Sequence, residues 1–249
     1  MRLCKVAGFV VAIAWGCHTE KTATVEGPPF LIPSTATMSA SVPPVDARFV
    51  QVGPAPQTLS IGACQQLFVE VVKGTVTAND EPLAVGDVLA VLGTPEFTIR
   101  GGGVAVVASA RIPSCDAGQP SAGKSLVRAA RAPTLTFMGG AMQAHLDVDD
   151  RGVAPSLYLG RLSGMAGVPE HDHAKSWEVL CAVEASGTFT LAGQERHLGP
   201  LRCVSVPPGT KHSWRPDAGS NLVAVQIYSP PGPEQRFKTL AADEASRDH

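Results

Sequence analysis

Charge, long apolar runs and, over half the chain, histidine are all scarce in this protein of 249 residues. Only 17% of the residues are charged, and 20 Lys and Arg against 22 Asp and Glu give a formal net charge of −2. No surplus of positive charge is left to neutralise a phosphate backbone, which argues against nucleic acid as a partner. Acidic small molecules are not excluded, because individual arginines can still line a cavity. The Ala/Leu/Glu/Lys richness of a helical protein is missing. So is a membrane span: the N-terminal apolar run, Val6 to Trp15, is ten residues, whereas a bilayer core of about 30 Å needs about 20. Histidine is absent between Thr19 and Gln143. What is present is 44% hydrophobic residues, 25 Gly and 21 Pro, enough for one or two compact cores joined by many turns, which reads as β.

The chain divides by composition. In residues 1–17, Arg2 and Lys5 precede the apolar run, the pattern of an export signal. Residues 18–47 are rich in Pro, Ser, Thr and Ala without periodicity and read as a tether. Residues 48–112 carry short apolar runs separated by turn signals: Leu67 to Lys73, then Gly74; Thr75 to Ala78, then Asn79-Asp80; Val88 to Leu92, then Gly93; Val104 to Ala110. A linker with room for one short helix follows at 113–134. A second string of strands occupies 135–232, and 233–249 is left as a C-terminal tail. The two strings look alike in places. Val71-Val72-Lys73-Gly74-Thr75-Val76-Thr77 resembles Glu184-Ala185-Ser186-Gly187-Thr188-Phe189-Thr190, Val85-Gly86 resembles Leu198-Gly199, and Gly93-Thr94 resembles Gly209-Thr210.

The second string holds the chemistry. In Glu170-His171-Asp172-His173-Ala174-Lys175-Ser176-Trp177-Glu178 the two histidines stand at i and i+2, which on an extended strand puts both rings on one face. Glu178 can reach the same point from the following strand. His212 arrives behind Pro207-Pro208-Gly209-Thr210-Lys211, where proline fixes φ and glycine permits the turn. Three neutral imidazoles and one carboxylate leave one or more coordination positions for water or substrate, as a catalytic site needs and a closed structural site lacks. Mixed N/O donors suit a divalent transition metal: Fe, Mn, Ni, Cu, Co or Zn.

The order His-x-His, Glu, then Pro-x-Gly-x-x-His resembles the two motifs of the cupin superfamily. The resemblance spans about residues 135–230 and implies a double-stranded β-helix, the cupin jelly-roll barrel, with His171, His173, Glu178 and His212 as metal ligands. It departs from the usual pattern at Met165, where a glycine is common, at Gly187 and Gly199, which lie two positions further out than expected, and at Pro216, where an asparagine often stands. None of these is a ligand. With the internal likeness, the fold class expected is all-β, two cupin barrels in tandem, the first degenerate, with Glu96 near the place that His212 holds in the second. His145, Tyr158, Arg161, Trp214, Gln226 and Tyr228 are candidates to stand around the ligands.

Ala14-Trp15-Gly16-Cys17 resembles a bacterial lipoprotein box, which implies lipidation at Cys17 and anchoring to a membrane outside the cytoplasm. A cut after Ala12-Ile13-Ala14 would instead release a soluble exported protein. Of the other cysteines, Cys64, Cys115, Cys181 and Cys203 admit three pairings in a compartment that permits disulfides. The cupin resemblance places the strand of Cys181 beside that of Cys203, and Cys64 with Cys115 is then the remaining pair; four reduced thiols are the alternative. Two functions from different classes follow. One is a metal-dependent enzyme of the cell envelope, oxygenase-type first, acting on a small oxygen-rich molecule. The other is a non-enzymatic protein that binds a small molecule or metal. A homodimer stays open.

Overall fold

A computed structural model describes residues 45–62, 64–92, 96–112, 123–148 and 157–247. Cys17, with the whole leader and most of the tether, lies outside the described residues, as does Cys115.

The first unit is one curled sheet. Its strands are β1 (Val45–Val52), β2 (Gln57–Ser60), β3 (Gln65–Ala78), β4 (Glu81–Leu83), β5 (Val88–Leu92), β6 (Glu96–Arg111) and β7 (Gly123–Val127). They run in the order β1-β6-β3-β5-β7, with β2 on β6 and β4 on β3. β1 begins inside the stretch read as tether. Its alternation is the reason: Val45, Ala47 and Phe49 are buried while Asp46 and Arg48 are exposed. β3 runs through Gly74, where the sequence suggests a break. Gly74 takes φ +73, and a side chain there would strike the backbone of Gly102, so the glycine keeps the pairing with Gly103 instead of ending it. The expected linker contributes β7, which pairs with β5, and a short 3-10 turn, Ala129–Arg131. Arg128 fastens it, donating from Nη1 to Asp87 Oδ2 at 2.7 Å and from Nη2 to Glu81 Oε1 at 2.9 Å.

The second unit is a two-sheet jelly roll. It contains β8 (Thr134–Phe137), β9 (Met142–Val148), β10 (Tyr158–Gly164), β11 (Val168–His171), β12 (Trp177–Glu184), β13 (Gly187–Leu191), β14 (Gln194–Leu198), β15 (Arg202–Val206), β16 (His212–Pro216) and β17 (Leu222–Ser229), followed by α1 (Gln235–Arg247). One sheet has the order β15-β12-β17-β10-β9-β8 and the other β11-β16-β13-β14. The fold is all-β jelly roll, as the turn-punctuated runs imply.

Period-two alternation sorts β12 and β17 between two cores. Glu178, Leu180 and Ala182, with Leu222, Ala224, Gln226 and Tyr228, face the lumen between the two sheets. Val179, Cys181, Val225 and Ile227 face the other way and pack against Val45, Phe49, Phe68 and Val106 of the first unit. Cys181 and Cys203 stand opposite each other on β12 and β15 and are disulfide-bonded. The bridge is outside the lumen, at the junction of the two units. Cys64 is also disulfide-bonded.

The two units pair in matching register. Glu178 lies between Val206 and Tyr228, and the pairing of β12 with β17 slips once between Ala182 and Glu184. Leu67 lies between Val91 and Ser109, and β3 slips against β6 between Val71 and Lys73. Gly187 faces Pro216 and, four residues on, Leu191 faces His212; Gly74 faces Gly103 and, four on, Ala78 faces Ile99. Leu67, Val107 and Ile99 therefore hold the places of Glu178, Gln226 and His212. This corrects the expectation for Glu96, which is exposed and paired with Ser60, because the long β6 slides its buried positions further along the chain.

Candidate metal centre

β11 and β16 are antiparallel neighbours, and their pairing sets His171 opposite His212. β11 ends at His171, so His173 is not on a common strand face as the i, i+2 spacing implies. It sits in the loop beyond, where its carbonyl accepts a hydrogen bond from Gly209 N at 2.8 Å. That bond joins the loop to the Pro207–Thr210 turn, which puts Pro208 second and Gly209 third. Gly209 has φ +69, the conformation a type II turn demands at that place. Glu178 enters from β12 in the facing sheet.

The four side chains converge: one ligand atom from each of His171, His173, Glu178 and His212 lies within 4.8 Å of all the others. Ligand distances of about 2.2 Å allow separations up to about 4.4 Å around a single ion, so the group needs to close by only a few tenths of an ångström. His171 and His212 have ring centroids 4.1 Å apart, and His173 is 4.9 and 5.2 Å from them. His171 Nδ1 donates to Pro169 O at 2.8 Å and His212 Nδ1 to Thr210 O at 2.9 Å. Each carbonyl fixes its ring so that Nε2 is the free donor atom, the arrangement that orients ligating histidines. Gln226 Nε2 donates to Glu178 Oε1 at 2.8 Å, leaving Oε2 toward the rings, with His173 Nε2 at 3.1 Å and His212 Nε2 at 2.9 Å. The second of these is not aligned as a hydrogen bond, and His212 Nε2 is a buried polar atom that has no hydrogen-bond partner among the described residues. A cation could satisfy it. The donor set fits a divalent transition metal.

Electrostatics agree. Burial alone would push the Glu178 carboxyl up, but the His173 and His212 rings outweigh it and hold it far below the usual carboxylate range. Burial would lower His212, yet the Glu178 carboxylate beside it raises it. His171, with burial dominant, is lowered and stays neutral. Tyr228, whose ring meets His173 edge-on at 5.0 Å, is pushed well above its ordinary value by burial and by Glu178, and remains an O–H donor.

A cavity of about 90 Å³ opens over the four ligands. Of the candidates to surround them, Trp214, Gln226 and Tyr228 line it. Tyr158 stands behind, stacked on Tyr228 with ring centroids 5.7 Å apart. His145 and Arg161 face away, as their places next to the lumen-facing Ala144 and Leu162 on β9 and β10 require: His145 bonds Thr134 Oγ1, and Arg161 Nε lies 3.6 Å from Glu70 Oε1 of the first unit. Three further lining residues come from α1, in the stretch read as a tail: Arg236, Phe237 and Leu240. Phe237 stacks on Phe137 at 5.4 Å, and Gly139 N donates to Glu244 at 2.6 Å. The signal for them was present. Residues 234–249 hold neither Gly nor Pro, and Phe237, Leu240 and Glu244 recur at helical spacing.

No family model matches the chain. No curated protein matches it either. Solved structures do. A salicylate 1,2-dioxygenase from Pseudaminobacter salicylatoxidans is 14% identical with a TM-score of 0.56, covering 85% of this chain and 78% of the other. An IolB-like protein from Salmonella typhimurium is 15% identical with a TM-score of 0.58, over 76% of this chain and 83% of the other. An oxalate decarboxylase is 10% identical with a TM-score of 0.55, over 75% and 69%. These are cupin-fold proteins, and the likeness identifies the fold of this chain as theirs.

Proposed function

We propose that this protein is a metal-dependent cupin enzyme acting on a small molecule, with oxygenase-type chemistry first among its reactions. The observation that supports it most is His212 Nε2, buried and without a hydrogen bond among the described residues, beside three further donor atoms, under a cavity. His171, His173, Glu178 and His212 would hold the metal. Bound there, the ion would act as a Lewis acid on a chelating substrate oxygen and, if it is iron, would bring dioxygen beside it. Gln226 keeps Glu178 turned to one oxygen, Tyr228 keeps its proton and can donate it to a substrate oxygen, and the apolar wall excludes water. The cupin-fold dioxygenase and decarboxylase favour enzyme chemistry by analogy.

The matching register supports reading the chain as a bicupin whose N-terminal barrel has lost its site and serves as a structural partner. The same proposal holds residues 1–17 to be an export signal, with lipidation at Cys17 anchoring the protein on the periplasmic side of a membrane. No described helix is long and apolar enough to cross a membrane.

Oxygen uptake by iron-reconstituted protein on catechol-like and carboxylate substrates tests the reading. Turnover that disappears in His171→Ala supports an enzyme. Ligand-induced stabilisation without turnover contradicts it and favours the non-enzymatic binder.

A further inference from the structure

The cavity wall narrows what the site accepts. Apart from the ligand group, Gln226, Tyr228, Ser213 and Arg236, its lining is hydrocarbon or aromatic: Phe137, Met142, Leu180, Phe189, Trp214 and Phe237 stand on all sides. A sugar or a dicarboxylate would find few partners on such a wall, Trp214 Nε1, Gln226 Oε1 and the Tyr228 hydroxyl among them, and each further polar group left without one would cost about 1–3 kcal/mol. A hydrocarbon body gains from the same burial.

Charge narrows it further. A divalent metal with Glu178 as sole anionic ligand leaves the centre at +1, the histidines being neutral ligands. Arg236 is the one other fixed charge on the lining. It is exposed at the cavity rim and makes no ion pair among the described residues. Several arginines elsewhere are engaged, Arg128 with Asp87 and Glu81, Arg161 with Glu70 and Arg215 with Glu195; what sets Arg236 apart is its place on the cavity lining. An unpaired guanidinium at the rim of a positively charged, apolar cavity is suited to an anion.

We propose that the site takes a small monoanion with an apolar body, of the aryl or branched-chain carboxylate class. Its carboxylate lies between the metal and Arg236 on α1, which reads the negative charge, and the hydrocarbon part rests between Phe137 and Phe189. The C-terminal helix is then part of the specificity apparatus. This rests on the metal reading above and refines its substrate from oxygen-rich to amphiphilic.

The test is direct binding to the metal-loaded full chain, followed by calorimetry, with metal content measured on the same samples. The probes are benzoate, its neutral isostere benzamide, and oxalate, an anion without an apolar body. The expected order is benzoate tightest. Arg236→Gln should weaken benzoate about tenfold and leave benzamide unchanged, whereas Phe237→Ala should weaken both. Arg236 is exposed and unpaired, so its replacement leaves the fold intact. Oxalate binding more tightly than benzoate overturns the apolar-body claim. Benzamide matching benzoate, or Arg236→Gln binding benzoate at full strength, overturns the role of charge. Metal-loaded protein that binds none of the three overturns this inference alone. A chain that takes up no metal overturns the reading beneath it as well.

Discussion

The two β units share a pairing register and differ in what fills their lumens. Around the second lumen, β12, β16 and β17 supply Glu178, His212 and Gln226. At the matching places of the first unit stand Leu67, Ile99 and Val107, buried in a continuous apolar cluster with Val69, Val91 and Phe97. The first lumen is a packed core, stabilised by burial of hydrocarbon. The second gives up part of that packing for a buried carboxylate and three imidazoles, of which His212 Nε2 is left without a hydrogen bond among the described residues. One pattern of strand pairing thus carries two different lumens, which differ at the Glu178, His212 and Gln226 places and also where His171 and His173 stand.

Converting one lumen into the other gives the largest expected effect. Glu178→Leu with His212→Ile copies the first lumen into the second and should abolish metal retention. Thermal stability without metal should hold or rise, since replacing a buried ion pair with apolar side chains is neutral to stabilising by about 1–4 kcal/mol. His212→Ile alone should do the opposite. It leaves Glu178 buried without its neighbour's charge and costs about 3 kcal/mol, read as a lowered denaturant midpoint. Metal retained by the double variant would contradict the assignment of Glu178 and His212 as ligands.

The junction between the units should respond next. Replacing Cys181 and Cys203 together with alanine removes a bridge that closes a separation of 22 residues and should cost about 3 kcal/mol on a chain-entropy argument. The variant should still bind metal, because the bridge lies on the face of β12 opposite Glu178. An unchanged unfolding midpoint would show that the hydrophobic junction alone fixes β12 and β15.

The smallest expected effect is protonic. His212 is raised by Glu178, so a proton stays on its ring above the usual histidine range, and Nδ1 is already committed to Thr210 O. The metal must displace that proton. Apparent affinity should rise with pH by about tenfold per unit below the raised value and level off above it, with proton release visible as a buffer-dependent heat of metal binding. Affinity flat from pH 5 to 8 would contradict it.

Much of this was legible in the residues. Glycine and Asx turn signals separate most of the strands, and His171, His173, Glu178 and His212 could be singled out by type and spacing. Other features were hidden for physical reasons. Gly74 looks like a strand end, yet its left-handed φ lets β3 continue. The i, i+2 spacing of His171 and His173 suggests one strand face, yet the strand stops at the first and the Gly209 turn holds the second. Glu96 invited comparison with His212 because both carry polar heads behind a Gly-Thr pair, whereas the register is set by the buried residues of β6. The wall supplied by α1 was overlooked because 17% charged residues and abundant glycine favour an all-β expectation, and a 13-residue terminal helix does not disturb it.

Metal content of the full chain, measured beside His212→Ala after the same loading and washing, tests the central claim most directly. The account predicts one equivalent of a divalent transition metal per chain in the wild type and its loss in the variant. A wild-type chain that retains none, or a variant that retains as much, would contradict it.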